Sequence, residues 1–205
     1  MDNMTRSEGL EARRSGFFTK SRAAVSLLFL MNGFMVGCWA PKIPEFAERL
    51  QLSKFELGLM ILVFGVGSLV MMPLAGAQIA VRGSRVVVRA FGVLLVPMLL
   101  ALTLAPNVWT AAVALFFFGG FIGAMDVAMN ANAVSVEQSM RRAIMSSCHA
   151  FWSLGGLLGS STGGFLIEHI GVSVHAILVT VLAAILVFCA WQAVLHDAPH
   201  PDEAG

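Results

Sequence analysis

The chain has 205 residues, of which 58% are hydrophobic and only 12% charged, with a mean hydropathy of +0.82. A soluble domain carries about 25% charged residues to cover its surface, so this composition excludes a water-soluble globular protein and leaves lipid as the medium. The net charge of +1 is uninformative, but the placement of the cations follows membrane topology and argues against nucleic acid as a partner.

Residues 1–22 read as a polar cytoplasmic leader. The first predicted span, near 23–40, is free of charge and carries Asn32 and the pair Gly33-x-x-x-Gly37. After it, Ser53 and Glu56 have the S-x-x-E spacing of a capping box that opens a second span near 55–81. A third span is expected near 86–104 and a fourth near 108–132, divided by Pro106-Asn107 inside the charge-free stretch 90–125. A fifth near 143–167 and a sixth near 172–195 complete the series, and 196–205 read as a polar cytoplasmic linker or tail. A bilayer core takes about 20 apolar residues per helix, and continuous rather than alternating apolar runs select helices over barrel strands. The expected fold is an all-α membrane protein, a bundle of six transmembrane helices over 23–195.

With a cytoplasmic N-terminus, ten cations fall inside (Arg6, Arg13, Arg14, Lys20, Arg22, Arg82, Arg85, Arg89, Arg141 and Arg142) against three outside (Lys42, Arg49 and Lys54). That asymmetry is the one the positive-inside rule requires, and an even span count returns the C-terminus to the cytoplasm. The expected location is a cell (inner) membrane. Gly67, Gly76 and Gly83 recur as Gly155, Gly164 and Gly171, each 88 residues on (155−67, 164−76, 171−83). Because span two descends and span five ascends, this spacing suggests two inverted three-helix repeats.

Apart from Glu56 at the capped start of the second span, Asp126 is the only Asp or Glu inside a predicted span. A carboxylate near the bilayer centre costs about 2.5–3.5 kcal/mol, so such residues usually face a cavity and a function. Gly119, Gly123, Asp126 and Asn130 share one helical face, as the lining of a polar pathway would. His149 on span five, with Trp152 one turn on, is the second candidate and Asn32 a third; for each, ordinary packing is the competing reading. Trp39 and Trp109 are expected as interfacial anchors. Gly159-Ser160-Ser161-Thr162-Gly163 matches the G-x-S-x-G hydrolase elbow but lies mid-helix, where the motif cannot work. With no H-E-x-x-H, no P-loop, no zinc-spaced cluster and only the proline-separated His196 and His200, the sequence predicts neither an enzyme nor a cofactor or metal site.

Four stretches resemble the N-terminal six helices of major facilitator superfamily permeases over about 23–196, with the fucose-permease-like branch most similar. They are Ile43-Pro44-Glu45-Phe46, the loop 76–85, Gly123-Ala124-Met125-Asp126-Val127-Ala128-Met129-Asn130, and His149-Ala150-Phe151-Trp152-Ser153-Leu154-Gly155. The resemblance implies a cavity between two six-helix halves and alternating access, commonly driven by protons. It makes Asp126 the protonation site, sets Asn130 one turn on and His149 near the substrate, and makes Gly76, Arg82, Gly83 and Arg85 part of a gating loop. Ala80 and Val81 stand where that loop usually carries Asp-Arg, and Ala40 where the sugar permease has a second acidic residue.

The expected function is secondary transport of a small solute, probed against the alternative of a non-transporting membrane interaction or regulatory protein derived from a transporter half. Protonation of Asp126 would remove the cost of closing the cavity around its charge. The expected partners are a solute, protons, the bilayer and a second six-helix half, supplied by a missing C-terminal half, a homodimer or a separate subunit.

Overall fold

A computed structural model describes residues 19–197, which form eight α-helices and one 3-10 turn. Most of the leader, and the end of the tail with His200, lie outside the described residues. Helix α1 (Lys20–Trp39) is capped by Thr19, whose hydroxyl accepts from the Arg22 amide at 3.2 Å. Lys20 and Arg22 are therefore its first turn, which shortens the predicted leader. A 3-10 turn (Ala40–Lys42) and a short α2 (Ile43–Arg49) follow, between the first and second predicted spans. Both have proline in the first turn, where its missing N–H costs nothing.

Helix α3 (Lys54–Arg82) opens on the predicted capping box: Ser53 Oγ accepts from the Glu56 amide at 3.2 Å, and Glu56 Oε2 from the Ser53 amide at 2.8 Å. The predicted third span is broken into α4 (Ser84–Leu95) and α5 (Met98–Leu104). Pro97 stands at the break, where its ring clashes with the carbonyl four residues back and it has no N–H to offer. Asn107 and Thr110 form a second capping box at the start of α6 (Val108–Met140), which runs 33 residues and ends on a left-handed Arg141 (φ 49°). At about 1.5 Å per residue this helix outruns a hydrocarbon core of about 30 Å, carrying Glu137 past the predicted end at 132. Glu137 Oε1 then accepts from the amides of Ile144 (2.5 Å) and Met145 (2.8 Å), capping α7 (Met145–Ile170). Helix α8 (Val172–Trp191) is last. Gly83 and Gly171, before α4 and α8, have φ of 78° and 82° with ψ of 158°, a region open to glycine alone.

Among the described residues, five helical stretches are long and apolar enough to cross a membrane: Lys20–Arg49, Lys54–Arg82, Ser84–Leu104, Val108–Met140 and Val172–Trp191. Helix α7, the predicted fifth span, has the length but is not among them, because Gly, Ser and Thr dilute its apolar residues.

Helix α1 packs most extensively on α7, and α3 on α6. The cause is glycine. A Cβ on Gly33 would overlap the Trp152 carbonyl, and one on Gly119 the Phe64 carbonyl; one on Gly155 would overlap the Leu30 carbonyl, and one on Gly67 the Phe116 carbonyl. Without a hydrophobic drive between helices in lipid, such backbone approach is what holds them together. The two contact sets match at fixed offsets: 86 between α1 and α6 (119−33, 116−30) and 88 between α3 and α7 (152−64, 155−67). Phe29, Met31, Met35, Phe118, Met125 and Met129 fill the centre. Large apolar side chains such as Leu69 on α3 and Phe188 on α8 face outward, as a lipid-solvated surface permits. Buried Lys42 ties the end of α1 to α8 through a 2.8 Å bond to the Val172 carbonyl.

Candidate functional site

Four of the predicted residues come together across α1, α6 and α7 in two stacked layers. In the first, Asn130 Nδ2 donates to the Asp126 carbonyl (2.8 Å) and to Asp126 Oδ1 (3.3 Å), one turn apart on α6. His149 on α7 stands within electrostatic reach of Asp126 and meets Phe29 on α1 edge to face, with ring centroids 5.3 Å apart. Asp126 and Asn130 are half-buried and His149 is exposed.

The second layer lies one turn away on all three helices. Asn32, buried on α1, donates from Nδ2 to the Ile122 carbonyl of α6 at 3.1 Å and accepts from Trp152 Nε1 of α7 at 3.0 Å. One amide thus satisfies a donor and an acceptor on two different neighbours. Ile122 precedes Asp126 by four residues and Trp152 follows His149 by three, so the two layers are separated by about one turn of 5.4 Å. Asn32 and Trp152 are visible in the sequence as candidates; their pairing is not, since they lie 120 residues apart.

The expected polar stripe on α6 divides in two. Gly119 and Gly123 are buried against α3, where a Cβ would overlap Phe64 and Ser68 respectively. They are packing residues, and only Asp126 and Asn130 continue toward the open α7 side. Trp109 is exposed as an interfacial anchor would be, but Trp39 is buried, edge to face with Phe46 at 5.1 Å. Ser160 and Thr162 of the rejected hydrolase-like motif bond the Leu157 and Leu158 carbonyls of their own helix at 3.2 and 2.6 Å.

The predicted gating loop is a separate site. Gly76 lies within α3 with open space where a side chain would be, and Arg82 is exposed at the helix end. Gly83, Ser84 and half-buried Arg85 meet a residue that the sequence reading passed over: Asp197, in the segment after α8. Its Oδ2 accepts from the Ser84 amide at 2.9 Å and its Oδ1 from the Arg85 amide at 3.2 Å, a helix cap supplied from 112 and more residues away. Burial pushes the Asp197 carboxyl up, but the hydrogen bonds from Ser84 and Arg85 outweigh it and hold the group below its ordinary value. Asn132 of α6 locks the same junction, donating to Ser84 Oγ (2.9 Å) and the Leu195 carbonyl (3.0 Å). Arg89 stacks on Trp191, 4.7 Å from guanidinium to ring centroid, and bonds the Trp191 carbonyl.

Among the described residues no group of three or more His, Cys, Asp or Glu side chains converges as a metal would need. Residues 25–205 match the family model described as Major Facilitator Superfamily. The chain is 38% identical over 138 residues to the uncharacterized transporter y4wD of Sinorhizobium fredii, covering 67% of this chain and 36% of that protein. It is 36% identical over 184 residues to an uncharacterized MFS-type transporter of Yersinia pestis, covering 89% and 48%. It is 34% identical over 168 residues to the membrane protein MosC of Rhizobium meliloti, covering 82% and 40%. The chain therefore spans less than half the length of each of these relatives.

Proposed function

The chain belongs to the Major Facilitator Superfamily and is transporter sequence rather than an enzyme; from that premise we propose that it forms one six-helix half of a proton-coupled secondary transporter. A small solute would be moved by alternating access, with Asp126 carrying the proton. Asn130 holds the carboxylate from one side and His149 faces it from the neighbouring helix. Protonation neutralises Asp126, and the cavity can then close over it without burying a charge. The observation that carries this reading is the pair of layers, which fixes a titratable carboxylate and an imidazole beside an exposed face of α7.

Six spans, with α7 as the fifth, make two inverted three-helix copies. The recurrence of the α1–α7 contacts as α6–α3 contacts at offsets of 86 and 88 supports this arrangement, as do the matching Gly83 and Gly171 conformations. The exposed His149, Ser153, Ser160 and Ser161 of α7 and the open positions Gly58, Gly65, Gly76 and Gly164 of α3 and α7, each with nothing within 4 Å of a Cβ, favour a second half seated there. Such glycines allow the close helix approach already made inside the bundle. The membrane is a cell (inner) membrane, with both termini cytoplasmic.

The test reconstitutes the protein in proteoliposomes carrying a pH-sensitive dye, screens a panel of neutral sugars, amino acids and amines, and records the oligomeric mass in mild detergent. Solute-dependent proton entry is expected from the assembly that supplies a second half. Asp126→Asn should abolish uphill uptake while leaving solute exchange intact. Uphill uptake by Asp126→Asn at the wild-type rate and pH dependence would remove Asp126 from the mechanism. Saturable transport by a strict six-helix monomer would remove the second half.

A further inference from the structure

Between α5 and the first half of α6 lies a groove of about 550 Å³ that the transport mechanism does not use. Its lining combines small residues, Ala101, Ala105 and Ala114, of which Ala105 is buried, with the larger Leu94, Val113 and Phe117, which are 45%, 57% and 38% exposed. The helix is interrupted at Val96 and Pro97, and the groove runs along α5. Its one hydroxyl, Thr110, lies at the mouth and is already bonded to Asn107. No lining residue carries a charge.

We propose that this groove is a binding site for a single phospholipid acyl chain, drawn from the leaflet on the Trp109 side. Three observations select this occupant. The groove follows α6 from Thr110 to Phe121, eleven residues or about 16 Å at 1.5 Å per residue, and one leaflet of a core about 30 Å thick offers a chain about 15 Å of depth. Its mouth adjoins Trp109, 83% exposed, whose ring marks the membrane–water boundary, so the groove begins at the headgroup level and ends near the midplane. All lining residues lie between 94 and 121, on neither α3 nor α7, so a second half seated on the open glycines of those helices leaves this face to lipid. The groove offers a chain contacts from α5 and α6 together, whereas the outer face of α8 offers contacts from one helix.

The experiment uses the full chain in vesicles doped with phosphatidylethanolamine bearing a diazirine near the end of one acyl chain. After photolysis, adducts are mapped by peptide mass spectrometry. Adducts per exposed residue on the stretch 94–121 should exceed those on the exposed face of α8 (Val181, Ile185, Phe188) by about fivefold, the ratio for a preference of about 1 kcal/mol. Ala114→Trp, which fills the trough, should bring the two faces level, while Val181→Trp should leave the ratio unchanged. Ala101→Phe is the second filling variant, used if Ala114→Trp fails to elute as a folded species. Equal labelling of both faces in the wild type, or an undiminished ratio in a folded filling variant, would each overturn the proposal.

Discussion

Asn32 joins three helices through one side chain, and its removal tests how much such a bond is worth inside lipid. Asn32→Ala leaves the Trp152 N–H without its acceptor, which should lower stability by about 1–3 kcal/mol. Interhelical hydrogen bonds in membranes average nearer 0.6 kcal/mol, with a maximum of about 1.7, so the coupling between Asn32→Ala and Trp152→Phe should lie between those values. Thermal unfolding of the two single variants and the double variant in detergent gives that number. Strict additivity would mean that the two side chains do not act as a pair. Asp197, outside the spans, offers a pH readout. Its carboxyl is held below the ordinary 3.8 in the folded chain, so the unfolded chain takes up the proton first. The cap's contribution is therefore fully present above 3.8 and is lost as pH falls through the folded value. The stability difference between wild type and Asp197→Ala should be flat from neutral pH to about 5 and shrink only at lower pH. A difference that grows on acidification would contradict the capping role.

At the level of elements, the glycines separate into two kinds that composition alone does not distinguish. Gly33 meets backbone, and an added methyl there would force α1 and α7 apart; Gly65 has open space within 4 Å. Gly33→Ala should therefore cost about 1–3 kcal/mol by overpacking. Gly65→Ala should be neutral or stabilise the chain by up to about 1 kcal/mol through helix propensity. Unfolding midpoints for the two variants decide the point, and similar losses at both would mean that α3 has a neighbour on its open face. The predicted capping box at Ser53 was readable because its two partners are three residues apart. The box at Asn107 was equally local but was read only as a turn. The helix break at Pro97 was missed because a charge-free run carries no sign of where its axis bends; the proline itself was the available signal.

For the whole molecule, topology is the decisive measurement. The ten-to-three asymmetry of cations predicts cytoplasmic signals from reporter fusions after Arg85 and Arg142, and external signals from fusions after Pro106 and His169. If α7 does not cross, only five spans remain, and the His169 fusion would report the same side as the Arg142 fusion. The α1–α7 and α3–α6 glycine contacts give α7 a reason to sit among the spans despite its diluted hydropathy, since small residues bring association where apolar side chains bring only solvation.

The sequence by itself determined the medium, the helical class and the family, because a lipid core about 30 Å thick acts on local composition and length, which any stretch of about 20 residues displays. It also singled out Asp126, Asn130, His149 and Asn32, because polar groups inside apolar runs are costly wherever the neighbours lie. Only the tertiary structure decided that Gly119 and Gly123 pack against α3, that Asn32 bridges Ile122 and Trp152, and that Trp39 is buried. It alone brought Asp197 onto the start of α4, and the sequence had assigned that residue to a linker. All but the burial of Trp39 depend on residues from 55 (119−64) to 120 (152−32) positions apart coming together. The pattern of one helix states which face can make a contact, but the identity of the partner is set by how all the helices pack together.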